Sequence, residues 1–327
     1  MKKIAIIIPY FGKIPPIFEA WLISAESNKN IDFIIYTDDI SIKKYKVTDN
    51  IKIYIESFDD FKQRFQEKIN FKISLDYPYK ICDYRPMYGL VLSDLLKEYD
   101  FWGFGDFDVV LGDLSQYITN DVLNSFDRIF NYGALSLYKN DYEMNNLFRR
   151  ENKYKDCLSY KYVYRTNFSL YFDEMGGHKY GYGQSIVALR EKNIKILMNK
   201  VCADVKPKSY NFELYVTNEK YDYFEFIDGK LWGIKNGKKI KEFVYLHLQK
   251  RKIEIENNLN KDAFYIGPSI ICNKESKVIS NYKNKFNKRK FIKMHLRSKW
   301  NNFNGLMKQN APKYIFNSLF RRINDVK

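Results

Sequence analysis

Two short runs, Ile4-Ala-Ile-Ile-Ile8 and Phe33-Ile-Ile-Tyr36, are apolar at every position. A strand with one face in water alternates apolar and polar residues. A continuous run must be covered on both faces, which is the place of a central strand in a parallel sheet. Parallel strands need a crossover between them, and residues 15–26, Pro-Pro-Ile-Phe-Glu-Ala-Trp-Leu-Ile-Ser-Ala-Glu, have proline near their start and apolar residues at helical spacing. Ile51-Lys-Ile-Tyr-Ile55 reads as a further strand and residues 59–70 and 84–97 as helices, the second leading into an apolar strand from Phe101. This alternation predicts an α/β fold with a doubly wound, Rossmann-like, mainly parallel central sheet and flanking helices, whose ligands bind at the carboxyl ends of the strands. Those ends are Pro9-Tyr-Phe-Gly12, Thr37-Asp-Asp39 and Gly105-Asp-Phe-Asp108.

The second half is less regular. It predicts a strand at 133–137, a helix at 141–150, a strand near 167–172 and a helix from Gln184 to Lys192. Then three strands, 223–227, 231–235 and 241–246, are separated by Asp228-Gly229 and Asn236-Gly237, the residue pairs that two-residue hairpin turns favour. This small antiparallel meander delivers His247. A chain of 327 residues buries a substantial core. We divide it into a body, 1–276, with halves 1–125 and 126–276, and a tail, 277–327.

The third strand end carries the most chemistry. Side chains alternate along extended backbone, so Asp106 and Asp108 point the same way while Phe107 packs behind them. Two carboxylates aimed at one point suit a hard divalent cation, Mn²⁺ or Mg²⁺, which keeps positions open for substrate phosphates. Surface loops also carry Asp-x-Asp, so the motif alone decides little.

The formal charge of +16 suggests nucleic acid until it is located. Residues 277–327 hold 14 Lys or Arg and one acid, Asp325, so +13 belongs to the tail and the body is nearly balanced. Cys82, Cys157, Cys202 and Cys272 form no Cys-x-x-Cys or Cys/His cluster and read as free thiols of a reducing cytoplasm. No apolar run has the length of a membrane span, and the opening run is too short for a secretion signal.

With these elements in this order, residues 1–275 resemble the GT-A glycosyltransferases, particularly bacterial enzymes that decorate capsule or lipopolysaccharide. The resemblance rests on four places. Ile8-Pro-Tyr-Phe-Gly12 stands where such enzymes hold the nucleotide, which implicates Pro9, Tyr10 and Gly12. Thr37-Asp-Asp39 stands where the base is read, implicating Asp39, although an Asp pair also caps helices. Lys80-Ile-Cys-Asp-Tyr-Arg-Pro-Met-Tyr88 precedes the Asp-x-Asp motif where a helix supplies a cation to the donor, with Arg85 first and Lys80 second. Tyr245-Leu-His-Leu-Gln-Lys-Arg251 resembles the late segment whose His completes the metal site, and Lys250 or Arg251 would meet phosphate.

The resemblance implies a hexosyltransferase using a nucleotide-diphosphate sugar, with UDP as the favoured nucleotide, with the metal on Asp106, Asp108 and His247 and with Asp106 also at the donor. An inverting reaction needs a carboxylate base, which Phe172-Asp-Glu-Met-Gly-Gly-His178 offers as Asp173 or Glu174 because Gln184 stands where an acid is expected. His178 and Tyr182 are candidates for acceptor binding, and Tyr162, Tyr164 and Tyr180 are further aromatics around these loops. The other readings are a sugar-phosphate nucleotidyltransferase, which usually opens with a Gly- and Arg-rich phosphate loop unlike Pro9-Tyr-Phe-Gly-Lys13, and a membrane-associated non-catalytic scaffold.

In the tail, Ile292, Leu296, Trp300, Phe303 and Met307 fall on one helical face with cations elsewhere, and Ile315, Leu319 and Ile323 repeat the pattern after Pro312. Basic amphipathic helices bind anionic membrane surfaces. Residues 281–327 therefore predict a peripheral protein at the inner face of a bacterial membrane, acting on a lipid-linked or oligosaccharide acceptor. Packing of the tail on the body is the competing reading. Nucleic acid is not expected, because the body has no matching basic stripe.

Overall fold

A computed structural model describes residues 2–274, apart from 178–179, 199–200, 207–208, 210 and 250, together with Leu296. The readings for His178, for Lys250 and, save Leu296, for the 281–327 tail lie outside the described residues.

The fold is mixed α/β. In chain order its first strands are β1 (Ile4–Pro9), β2 (Ile31–Thr37), β3 (Ile51–Ile55), β4 (Phe101–Gly105), β5 (Val109–Leu111), β6 (Arg128–Tyr132) and β7 (Leu135–Lys139). A mostly parallel seven-stranded sheet runs Ile196–Leu197, β6, β7, β4, β1, β2, β3, with β7 antiparallel to both neighbours. The sheet crosses residue 125, so both halves of the body contribute strands to it.

The continuous apolar run of β1 follows from this layering. Ile4, Ile6 and Ile8 pack with Phe18, Trp21 and Leu22 of helix α1 (Phe18–Glu26), while Ala5 and Ile7 face Phe61 and Phe65 of helix α2 (Phe58–Glu67). Each large side chain fully buried in this way contributes about 1.5–3 kcal/mol. The other side of α1, through Ala20 and Ile23, packs with Phe224, Phe226, Leu231 and Phe264 of a six-stranded sheet spanning 223–273. Helix α1 is therefore buried between two sheets, which explains its weakly amphipathic sequence.

Several sequence expectations are corrected. Residues 84–97 do not form one helix: a 3₁₀ segment, Pro78–Met87, contains Pro86 and passes into a short α-helix, Tyr88–Val91. Proline has no N–H to continue an α-helical ladder there. The strand expected at 133–137 is present but shifted by two residues: Gly133 and Ala134 form the turn after β6, and the strand is β7, Leu135–Lys139. The helix expected over 141–150 is only Tyr142–Asn145, followed by a 3₁₀ segment, Leu147–Lys153. Residues 167–172 are not a strand, and Asp83 accepts the Leu170 and Phe172 N–H groups in place of a ladder.

The meander forms, with both of its turn pairs at positive φ. Its last strand breaks after Phe243. Lys238–Phe243 stays in the meander, whereas Tyr245–His247 joins a small sheet, parallel to Cys202–Asp204 and antiparallel to β5. The four cysteines are free. Among the described residues no helix is long and apolar enough to cross a membrane.

Candidate metal centre

Asp106 and Asp108 lie in the turn between β4 and β5. Phe107 anchors that turn by packing its ring against Tyr10, Phe18 and Trp21 at centroid distances of 5.2, 4.9 and 4.9 Å. With the middle side chain buried, its neighbours are turned to the opposite side. The small sheet brings in the third group: His247 pairs in register with Val109 on one side and Asp204 on the other. The Leu248 N–H also donates to the Asp108 carbonyl (2.8 Å), fixing the two turns to each other.

One donor atom from each of Asp106, Asp108 and His247 falls within 4.8 Å of the others. His247 Nε2 is 3.5 Å from Asp108 Oδ1, and Nδ1 is 2.9 Å from Asp204 Oδ1. Burial disfavours the imidazolium, but Asp108 and the bonds to Asp108 and Asp204 outweigh it and hold the His247 pKa well above its ordinary value. Asp106 is pushed up by burial and by the charge of Asp108, against the pull of Arg85. A divalent cation fits this set: it takes the place of the imidazolium proton and relieves the repulsion between two close carboxylates. Two carboxylates and one imidazole form a mixed oxygen and nitrogen donor set for a divalent cation.

Behind the turn lies an Arg85 hub. Its guanidinium pairs with Asp106 through Nη2 and donates from Nη1 to Asp173 Oδ2 and the Gly133 carbonyl, both at 2.9 Å. It also lies over the Phe104 ring. Arg85 was expected at the donor, yet two carboxylates already hold it in a buried position. Asp173 is 2 % exposed and locked to Arg85, which removes it from contact with an acceptor hydroxyl. Glu174 is the half-buried one of the pair, and its carboxylate lies over Gly133. Its pKa is raised, first by burial and then by Asp106 and Asp204, while Arg85 and His247 pull it down.

The remaining expectations divide. Pro9 closes β1, and Tyr10 stands near the turn, its hydroxyl pKa raised by burial and by Asp108. Gly12, at φ +102°, is exposed with open space beside its Cα, and its N–H donates to Asp38 Oδ1 (2.6 Å). Asp39 accepts from the Ile14 N–H (2.8 Å) and the Ser41 N–H (2.9 Å), so it fastens this loop to the end of β2. These bonds hold the Asp39 carboxyl below its usual range.

Lys80 and Arg251 are corrected. Lys80 is fully buried, and its ammonium is bound by Asp83 (2.7 Å) and the carbonyls of Val163 (3.1 Å) and Phe168 (2.8 Å). Arg251 is also buried, donating to the carbonyls of Pro268, Lys206 and Ser209 while stacking over Phe212. The sequence makes Lys80 the second candidate for contact with the donor and Arg251 the alternative to Lys250 at phosphate; both side chains instead bind loop carbonyls. Tyr182 pairs with Gly176 in a two-residue strand and lies beside the Arg190 guanidinium. Tyr164 stacks in the core against Tyr84, whereas Tyr162 is exposed.

Asp204 is the residue that the sequence reading missed. It ends a three-residue strand, too short for any periodicity, and only its pairing with Tyr245–His247 brings it to the site. A comparison with curated proteins finds no match. A family model covers residues 6–275, nearly all of the described body, and the chain belongs to that family, described as Family of unknown function (DUF6625).

Proposed function

We propose that the protein is a metal-dependent glycosyltransferase of GT-A type that moves a hexosyl group from a nucleotide-diphosphate sugar, with UDP as the favoured nucleotide, to a bacterial surface glycan. The observation that carries this reading is the convergence of Asp106, Asp108 and His247 at the carboxyl end of a central strand. That is the crevice in which α/β sheets bind ligands.

Asp106, Asp108 and His247 would hold Mn²⁺ or Mg²⁺. The bound ion supplies Lewis-acid neutralisation of a diphosphate leaving group. Arg85 keeps Asp106 aimed at the site by tying it to Asp173. The Tyr10–Gly12 loop, fastened by Asp38 and Asp39, offers an exposed glycine backbone and a half-buried ring to the nucleoside. Glu174 is the carboxylate suited to take the proton of an acceptor hydroxyl, since burial raises its pKa towards the working range of a general base. The acceptor is lipid-linked or a free oligosaccharide, and the basic tail holds the protein at the cytoplasmic membrane face.

A thermal-shift screen of nucleotide sugars tests the reading. One donor raises Tm with Mn²⁺, the shift vanishes with EDTA, and Asp108→Asn abolishes both the shift and sugar transfer. No shift with any donor, or an Asp108→Asn variant transferring sugar at the wild-type rate, overturns it.

A further inference from the structure

We propose that Asp204 is a positioning residue for the metal centre: it fixes the ring and tautomer of His247 so that Nε2 is the atom presented to the cation. The inference rests on the metal-site reading above and extends it by one residue.

The geometry is specific. An imidazole has two nitrogens, and the hydrogen bond made by one decides which form the other takes. Here Nδ1 lies 2.9 Å from Asp204 Oδ1, while Nε2 faces Asp108. A carboxylate can only accept, so Nδ1 carries the proton and Nε2 is left with its lone pair once a cation displaces the second proton. Asp204 is itself held. The Gln249 Nε2 donates to the same Oδ1 (2.7 Å), and the Asp204 carbonyl accepts the Tyr215 N–H (2.8 Å).

The backbone prepares this arrangement before any side chain does. Asp204, His247 and Val109 occupy one rung of the small sheet, so the orienting carboxylate, the imidazole and the residue after Asp108 are set side by side by the ladder. Gln249 takes a left-handed conformation, φ +53°, two residues past the end of the strand, and its amide bonds back to Asp204. A non-glycine residue held at positive φ is costly and marks a place where the surrounding structure imposes it.

The test measures Mn²⁺ affinity of the full-length protein by titration followed by electron paramagnetic resonance. Circular dichroism checks the fold, and ¹⁵N–¹H spectra with Mg²⁺ report the His247 tautomer. Asp204→Ala is expected to weaken Mn²⁺ binding about 10–100-fold and to lose the Nδ1–H signal of His247. Asp204→Asn keeps an acceptor without its charge, and a smaller loss is expected with the tautomer kept. It also serves if Asp204→Ala does not fold. Wild-type affinity in a folded variant with an unchanged tautomer overturns the role of Asp204 alone. A wild-type protein that binds no Mn²⁺ overturns the metal reading and this inference together.

Discussion

Gly133 takes a backbone conformation open to any residue, so its identity is set by what lies over it. A Cβ there would overlap the Glu174 carboxylate. The Gly133 carbonyl meanwhile accepts from Arg85, which ties this position to the hub behind Asp106. Gly133→Ala should displace the Glu174 side chain without breaking the hub. Transfer should fall about 100-fold, in the range lost with a general base, while stability falls by about 1–3 kcal/mol. Comparing kcat with the urea midpoint checks this. A variant with wild-type kcat removes Glu174 from the chemistry.

Among elements, Pro78–Met87 does the most to shape the site, and it was the hardest to read. The sequence predicts a helix that begins at 84 and runs to 97, with Arg85 at its entry and Lys80 before it. The segment is a 3₁₀ stretch that buries Lys80 and Asp83 fully. Charged residues are so seldom buried whole that sequence alone argued for exposure. Their burial depends on carbonyls of residues 163 and 168 and on N–H groups of 170 and 172, partners that no local pattern announces. The β1-α1-β2 unit was legible for the opposite reason. Its signal is local periodicity, and Phe107 between two acids likewise fixed its own orientation. His247 was legible as a residue but not as an element, because its strand leaves the meander for another sheet.

The same segment yields a stability prediction. Asp83 neutralises Lys80 and holds the chain that leads to Asp173 and Glu174, so Asp83→Asn leaves a buried charge without its counterion. The expected cost is about 3–5 kcal/mol in urea unfolding at neutral pH. Burial already lowers the Lys80 pKa from the ordinary 10.5, and losing Asp83 removes the largest influence that raises it. The folded variant then binds fewer protons than the unfolded chain, so its stability rises with pH until both forms are neutral. The deficit should therefore narrow as pH rises towards the ordinary lysine value of 10.5 in paired urea titrations. A constant deficit would mean that the lost N–H acceptors dominate.

At the scale of the molecule, charge is divided as sharply as structure. The body is nearly neutral, and +13 of the charge lies in residues 277–327, beyond the end of the family match at 275. Every part of the proposed catalytic apparatus belongs to the body, so the tail has no evident part in the chemistry itself. Its apolar positions recur every three or four residues between lysines and arginines, the pattern of a helix lying in a lipid interface. Attraction to anionic lipid is worth about 1 kcal/mol per cation near the surface and is lost once salt shortens the screening length to about 3 Å at 1 M. The full chain should thus float with phosphatidylglycerol vesicles at low salt and release substantially at 1 M salt, with a residue bound through Trp300 and Phe303. Neutral phosphatidylcholine vesicles should retain little at either salt. Binding to neutral and anionic vesicles alike would assign the attachment to apolar insertion alone, and no binding to either would return the tail to packing on the body.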